Sequence, residues 1–105
     1  MAEVERKVNP LLRKAIEEKR LIRLRYKDRE RIVEPHDYGI RKDNVMLLAW
    51  QTEGSSSNKL PGWRWMEVDM ISDIELLNQT FRGGRPAPSG VHQEWQEVFI
   101  RARAA

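Results

Sequence analysis

The pattern of apolar and polar positions along the chain changes its period once, just before the stretch LIRLRYKD. Before that stretch, Leu12, Ala15 and Ile16 recur at helical spacing, and Asn9 followed by Pro10 is typical of a helix start. The apolar stripe of this helix is narrow, so the helix must pack on another element to be stable. The pattern therefore predicts one short amphipathic helix near the N-terminus.

From Leu21 onward, apolar and polar residues alternate, which is typical of half-buried strands. In the first predicted strand, Ile22, Leu24 and Tyr26 point to one side. The second predicted strand is RIVEP. We expect this strand to end at Pro35, because proline has no N–H to donate. The others are VMLLAWQ, WRWMEVDM and DIELL. Five short strands after one helix predict a mainly β, α+β fold with a small, strongly bent antiparallel sheet or barrel.

The chain has 105 residues, which is enough for one domain with a single core. We expect residues 1–8 to form a flexible N-terminus and residues 9–80 to hold the helix and the sheet. Residues 81–105 form a tail that we expect to pack on the sheet, because its Gly and Pro residues interrupt regular structure. The end of the tail carries apolar residues at helical spacing, which predicts a short helix: Val91, Trp95 and Phe99.

The composition excludes several classes of protein. With 40% hydrophobic and 33% charged residues, the chain has the make-up of a folded domain. It has no cysteine, which rules out disulfides, thiolate zinc sites and cysteine nucleophiles. No apolar run approaches the roughly 18 residues that span a bilayer, and the N-terminus lacks the apolar segment of a signal peptide. We therefore expect a cytoplasmic protein that has no contact with the membrane.

The net charge of +3 hides an uneven distribution. Residues 1–42 contain 13 Lys/Arg and 8 Asp/Glu, whereas residues 43–80 contain 2 Lys/Arg and 6 Asp/Glu. A basic half attracts nucleic acid or an acidic partner, but Lys, Arg and Glu that alternate on a helix are more often a solvated face. Charge therefore leaves both interpretations open.

Several stretches resemble chemical motifs but lack their essential residues. His36 and His92 are far apart and do not have the H-E-x-x-H spacing, so we expect no metal site. GSSSN lacks the second glycine of a nucleophile elbow, and RGGRP lacks the lysine–serine pair of a phosphate loop. Glu67 and Asp69 share a predicted strand face, where solvated carboxylates are more common than a catalytic pair. We therefore expect neither an enzyme nor a cofactor.

The motif Trp63-Arg64-Trp65 follows the Ser-rich loop and raises a choice between two interpretations. Alternation places both tryptophans on one face of their strand and turns Arg64 toward the core or the rim of the sheet. In the first interpretation, the tail covers the tryptophans with Trp95 or Phe81. Burial of such large rings would then contribute to stability.

In the second interpretation, the tryptophans are a platform on which a base, a ring or a partner's side chain stacks. Arginines near the platform would neutralise an anionic ligand, and the Ser-rich loop would be a mobile flap over it. The candidate ligand-binding residues are therefore Arg23, Arg25, Arg31, Arg41, Trp63, Arg64 and Trp65.

Residues 11–77 resemble the WYL domain, a small barrel related to the SH3 and Sm folds. The resemblance rests on Tyr26 at the end of the first strand, on RIVEP, and on the apolar third strand followed by RWMEVDMISDIELL. The Trp-Tyr-Leu for which the family is named falls on VML. Two fourth-strand positions at which the family commonly has arginine are occupied by Glu67 and Met70.

The resemblance implies a five-stranded SH3/Sm-like barrel and a non-enzymatic, ligand-sensing or regulatory function. WYL domains usually follow a helix-turn-helix in bacterial transcription regulators, and some bind nucleic acid or another negatively charged ligand. We expect no helix-turn-helix before this barrel, because the sequence there supplies one short helix. The expected partner is single-stranded nucleic acid or a nucleotide-like anion. The alternative is a protein interaction module that binds another copy of the chain or a partner protein.

Overall fold

The structure is a computed structural model that describes residues 9–54, 60–83 and 95–102. In chain order it contains helix α1 (Pro10–Glu18), strands β1 (Arg20–Tyr26), β2 (Arg29–Arg41), β3 (Asn44–Gly54) and β4 (Gly62–Glu67), a 3₁₀ turn (Val68–Met70), and strands β5 (Ile71–Thr80) and β6 (Glu97–Arg101). The predictions for the flexible N-terminus, the Ser-rich flap and His92 lie outside the described residues. None of the described helices combines the length and the apolar character that crossing a membrane requires.

Helix α1 begins where the sequence predicts. The Asn9 side chain accepts hydrogen bonds from the backbone N–H groups of Leu11 (2.9 Å) and Leu12 (3.3 Å), and Pro10 occupies the first turn. These bonds satisfy N–H groups that have no partner within the helix. The predicted apolar stripe is confirmed, since all of its residues are buried: Leu12, Ala15 and Ile16.

The six described strands form one antiparallel sheet in the order β4-β3-β2-β1-β5, with β6 paired to β2. Strand β2 is long enough to hold β3 along one edge and β1 followed by β6 along the other. The mainly β, α+β class with one N-terminal helix is therefore confirmed. The expected five-stranded barrel is corrected to a sheet that is not closed, because β4 and β5 pair with β3 and β1 rather than with each other.

The sequence predicts that Pro35 ends the second strand. In the structure, Pro35 lies inside β2. The ladder to β1 ends at Val33 and the ladder to β6 begins at Asp37, so Pro35 lies between the two partners on that edge. On the other edge the register to β3 shifts between Pro35 and Asp37, which makes His36 the extra residue of a bulge. Strands tolerate the missing N–H of proline at such bulges.

The fourth strand is shorter than the alternation predicts. Strand β4 ends at Glu67, and the 3₁₀ turn follows it. Met66 is fully buried, as expected, but Met70 is 49% exposed. A 3₁₀ turn has three residues per turn and so does not continue the two-residue alternation of a strand. Val68 still packs against the core.

The end of the tail forms strand β6 and not the predicted short helix. It runs antiparallel to the second half of β2, where the absence of a side chain at Gly39 permits the contact. A Cβ at Gly39 would lie 2.1 Å from the carbonyl oxygen of Glu97. The ring of Phe99 packs edge-on against Tyr38, with 5.2 Å between ring centres. Pairing with an open strand edge therefore overrides the local spacing of apolar residues.

Tyr38 is buried and makes the stability of the protein depend on pH. Burial raises the pKa of the Tyr38 phenol, and the hydrogen bond donated to it by the backbone N–H of Asn9 (2.8 Å) opposes part of that rise. The tyrosine of the unfolded chain therefore ionises first, at about pH 10. The stabilisation is complete below that pH and is lost as the pH rises through the higher value of the folded protein.

We expect the free energy of unfolding to fall less steeply above about pH 10 in Tyr38→Phe than in the wild type. Urea melts at several pH values on either side of that point measure the slope. The variant also lacks the bond from Asn9, which lowers stability by about 1 kcal/mol at every pH, so the slope is the readout. Equal slopes in the two proteins would contradict the prediction.

Candidate functional site

A row of polar side chains interrupts the apolar, core-facing side of the sheet. It consists of Arg31 on β2, Gln51 on β3 and Arg64 on β4. Each of these three polar residues lies two positions along its strand from a buried core residue, and it therefore points to the core-facing side of the sheet. The three core residues are Val33, Ala49 and Met66. In the strand register, Gln51 lies between the two arginines, at diagonal positions that long side chains can bridge.

Arg31 is buried, with 9% of its surface exposed. Its Nη1 donates a hydrogen bond to Oε1 of Gln51 (3.3 Å), and its guanidinium carbon lies 5.2 Å from the centre of the Tyr26 ring. The Nε atom is buried without a hydrogen-bond partner, and no carboxylate of the described residues forms an ion pair with this side chain. Buried N–H groups normally have a partner, so this donor lacks an acceptor of the kind that an oxyanion would supply.

The surroundings of Arg31 are positively charged. Burial lowers the pKa of its guanidinium, and the charges of Arg29 and Arg64 lower that pKa further, while Tyr26 acts in the opposite direction. Arg29 lies two positions before Arg31 on β2 and points to the same side. We call Arg29, Arg31 and Arg64 the arginine cluster. Because arginine keeps its proton in proteins, the cluster remains positively charged at neutral pH.

Gly54 brings the end of β3 against the backbone of Arg31. The two residues are cross-strand partners, and a Cβ on Gly54 would lie 2.6 Å from Cα of Arg31. The φ angle of Gly54 is 101°, a conformation that residues with a side chain rarely adopt. The contact holds the end of β3 tightly against the backbone of Arg31.

Tyr26 connects the arginine cluster to the turn after β4. Its ring also lies near Nζ of Lys27, 5.5 Å from the ring centre. Its hydroxyl oxygen accepts a hydrogen bond from the backbone N–H of Glu67 (3.0 Å). The ring is thus held between β1 and β4 beside two cations, which aromatic rings attract.

Arg23 and Arg25 lie on the opposite side of β1 and form ion pairs. Arg23 contacts Glu75 (2.8 Å) and Glu30 (3.7 Å), and Arg25 contacts Asp73 (3.7 Å). All of these side chains are well exposed. The structure therefore does not bring Arg23 and Arg25 together with the arginine cluster, and nearby carboxylates balance their charge.

The tryptophans of the WRW motif are half-buried on the face opposite Arg64. Trp63 contacts His36 edge-on, with 4.9 Å between ring centres. Trp65 packs against Trp95 of the tail at 5.4 Å, and the guanidinium of Arg41 lies 4.1 Å from the centre of the Trp65 ring. Trp65 therefore already has an aromatic and a cationic neighbour from within the chain.

For Trp65, this arrangement corresponds to the interpretation in which the tail covers the tryptophans. Trp95 covers Trp65 directly, and Phe81 packs on His36 at 4.9 Å, next to Trp63. The seven predicted ligand-binding residues do not form one surface. Arg31 and Arg64 lie on the core-facing side. The two tryptophans and Arg41 lie on the other side, and Arg23 and Arg25 are exposed on β1.

The chemistry of the site is that of hydrogen-bond donors and positive charge. In residues 9–54, 60–83 and 95–102, no group of three or more His, Cys, Asp or Glu side chains could hold a metal ion. Glu67 and Asp69 do not share a strand face, because β4 ends at Glu67 and Asp69 lies in the 3₁₀ turn. The arginine cluster can therefore bind and orient an oxyanion.

Arg29 and Gln51, which belong to the candidate site, are not among the residues that the sequence predicts. Arg29 alternates with Arg31 and Val33, so the two-residue period was a signal that could have included it. Gln51 was assigned to the end of the apolar third strand, and its complete burial depends on neighbours from β2 and β4.

Comparison of the chain with protein-family models, with curated proteins and with solved structures finds no match. The WYL resemblance therefore remains a prediction based on the residues quoted for it.

Proposed function

We propose that the protein is a non-enzymatic module that binds an anionic ligand at the arginine cluster and serves as the ligand-sensing part of a regulatory system. The observation that carries the proposal is the buried guanidinium of Arg31, whose Nε lacks a partner and which pairs with no carboxylate of the described residues. Removal of an uncompensated charge from water costs several kcal/mol. A bound oxyanion supplies both the counter-charge and the hydrogen-bond acceptor.

The resemblance to the WYL domain favours the same function, since some members bind negatively charged ligands. Glu67 and Met70 stand at two positions where that family commonly has arginine. In this chain, Arg31 and Arg64 supply positive charge from β2 and β4 on the core-facing side. The proposed site therefore does not depend on the two replaced arginines.

Two other functions have less support. A long polyanion such as nucleic acid needs a track of unbalanced positive charge, but Arg23 and Arg25 are paired with carboxylates. A protein interaction module built on exposed tryptophans needs an open aromatic patch, but Trp65 packs against Trp95 of the same chain. We therefore favour a compact anion.

We expect Arg31→Met to weaken the binding of inorganic phosphate by about 30-fold or more, because it removes the buried cation that pairs with the anion. Methionine fills similar space and needs no counter-charge, which offsets the loss of the hydrogen bond to Gln51, so the stability of the unliganded protein should change by less than about 1 kcal/mol. Calorimetric titration at constant ionic strength measures affinity, and denaturant melts measure stability.

Arg23→Met is the matched control, since it removes an arginine that is exposed and paired with Glu75. Its phosphate affinity should stay within about twofold of the wild type, because exposed charges act weakly through water. Equal phosphate binding by Arg31→Met and the wild type would contradict the proposal. Absence of phosphate and sulfate binding by the wild-type protein would contradict it too.

A further inference from the structure

We infer that the edge of β2 from Asp37 to Ile40 is an acceptor site for a β-strand, and that it takes the β6 of a second copy of this chain as well as its own. Among the described strands, β6 pairs with β2 alone. It packs on α1 and β2, two elements that lie far from it in the sequence. A β6 from another molecule would therefore meet the same surface.

Gly39 prepares this edge for the backbone of an incoming strand. A Cβ at Gly39 would lie 2.1 Å from the carbonyl oxygen of Glu97. The φ angle of Gly39 is not positive, so its own conformation does not require glycine. The requirement comes from the close approach of β6, as is typical of strand glycines that face another backbone.

Backbone hydrogen bonds fix the register at both ends of the contact. The N–H of Gln96, just before β6, donates to the carbonyl oxygen of Ile40 (2.8 Å). The N–H of Ala102, just after β6, donates to the carbonyl oxygen of His36 (2.8 Å). Such main-chain bonds provide affinity for an added strand, and side-chain contacts provide its specificity.

The side chains at this edge select the strand that it accepts. The carboxylate of Asp37 is 1% exposed and accepts a hydrogen bond from Nε of Arg101 (3.1 Å), so a strand without this arginine would remove a counter-charge from a buried acid. The ring of Phe99 packs edge-on against Tyr38, and Ala102 is buried. The matching strand therefore has an aromatic residue, then an arginine two positions later, then a small residue. A second copy of the chain carries this strand by identity.

The connection to β6 is long enough for exchange. Residues 81–96 join β5 to β6, and a chain of that length reaches about 50 Å when extended, which exceeds the 39 Å longest dimension of the protein. The connection keeps the chain's own β6 at an effective concentration on the order of 1 mM, so the closed monomer predominates in dilute solution. Exchange is expected when the protein is concentrated or its own β6 is weakened, and it is reciprocal, which gives a closed dimer.

Two complementary variants of the full chain test the inference. Phe99→Ala weakens β6 as a donor and leaves the acceptor edge intact, whereas Gly39→Ala blocks the acceptor edge and leaves β6 intact. A mixture should contain at least about tenfold more one-to-one dimer than either variant alone at the same total concentration, because the free β6 of one fits the edge of the other. Native mass spectrometry measures this dimer.

The matched control replaces Gly39→Ala by the double variant Gly39→Ala/Phe99→Ala, whose β6 lacks the ring that packs on Tyr38. This control mixture should stay monomeric. As much dimer with the control as with Gly39→Ala would overturn the inference, because the copies would then associate through another surface. A mixture of the two single variants that stays monomeric would overturn it as well.

A synthetic peptide with the sequence of residues 95–102 tests the acceptor edge without Gly39→Ala, in case that variant does not fold. The peptide should bind Phe99→Ala at least about tenfold more tightly than the wild type, in which the chain's own β6 occupies the edge. The same peptide with alanine in place of Phe99 should bind at least about tenfold more weakly, because it lacks the ring. Equal binding of the two peptides, or no binding of either, would contradict the inference.

Discussion

Replacement of Gly39 with alanine is expected to destabilise the protein by about 3 kcal/mol, because the new methyl group meets backbone that cannot swing away. A Cβ at this position would lie 2.1 Å from the carbonyl oxygen of Glu97 and 2.9 Å from Cα of Val98. Both atoms belong to β6, so the strand must move away from β2. The movement would weaken the edge-on contact of Phe99 with Tyr38.

Displacement of β6 also exposes a buried charge. Asp37 is fully buried and its carboxylate accepts a hydrogen bond from Nε of Arg101 on β6 (3.1 Å). Ala102, just after β6, is buried in the core, and its backbone N–H donates to the carbonyl oxygen of His36 (2.8 Å). Loss of these contacts adds to the steric effect of the methyl group.

Urea melts of Gly39→Ala measure the change, and hydrogen exchange locates it. We expect faster exchange at the amides of β6, with less change in the hairpin of β1 and β2. Ser72→Ala on β5 is a suitable control, because this side chain is exposed and its loss should alter stability by less than about 0.5 kcal/mol. A Gly39→Ala protein as stable as this control would show that β6 does not pack against Gly39.

Gly54→Ala is the second change from which we expect a large effect, a loss of about 2 to 5 kcal/mol. The φ angle of 101° is unfavourable for alanine. In addition, its Cβ would lie 2.5 Å from the carbonyl oxygen of Glu30 and 2.6 Å from Cα of Arg31. All of these atoms are backbone, so relief requires the end of β3 to separate from β2.

The same change should weaken anion binding, since it moves the backbone that positions Arg31. Chemical denaturation measures the stability of Gly54→Ala, and a phosphate titration of the folded variant measures its affinity. The matched control is Glu53→Ala, which alters an exposed neighbour on the same strand and should stay within about 0.5 kcal/mol of the wild type. Unaltered stability together with unaltered affinity would contradict the close contact between β3 and Arg31.

Local signals predicted the parts of the fold that depend on neighbouring residues. Asn9 and Pro10 set the start of α1, and the alternation of Ile22, Leu24 and Tyr26 identified the buried side of β1. Such signals are read correctly because a helix start needs a side-chain acceptor and a half-buried strand needs a two-residue period. Both requirements are met within a few residues of sequence.

The parts that the sequence mispredicted depend on distant residues. The end of the tail became β6 because β2 offers an edge beyond the end of β1, and Pro35 is tolerated because it lies between those two partners. The predicted continuation of the strand after Glu67 is wrong, because the chain turns there to reach the other edge of the sheet. A local pattern carries no information on which edges are open.

The candidate site was predicted in part for the same reason. Arg31 and Arg64 were both named from the sequence, and alternation correctly turned Arg64 away from its flanking tryptophans. That Arg31, Gln51 and Arg64 face the same side follows from the register of three strands, with a shift between Ile32 and Val33 that no local pattern indicates. The sequence therefore indicated two residues of the candidate site but not their arrangement.

The resonance of the Arg31 Nε–H group reports most directly on the proposed binding of an anion by this buried guanidinium. Titration with inorganic phosphate at constant ionic strength, followed by proton–nitrogen correlation NMR, measures the resonance, and Arg31→Met assigns it. We predict a saturable shift of the Arg31 Nε–H signal together with little change at Arg23, whose side chain is exposed and paired. An unmoved Arg31 signal at phosphate concentrations that shift other residues would contradict the claim.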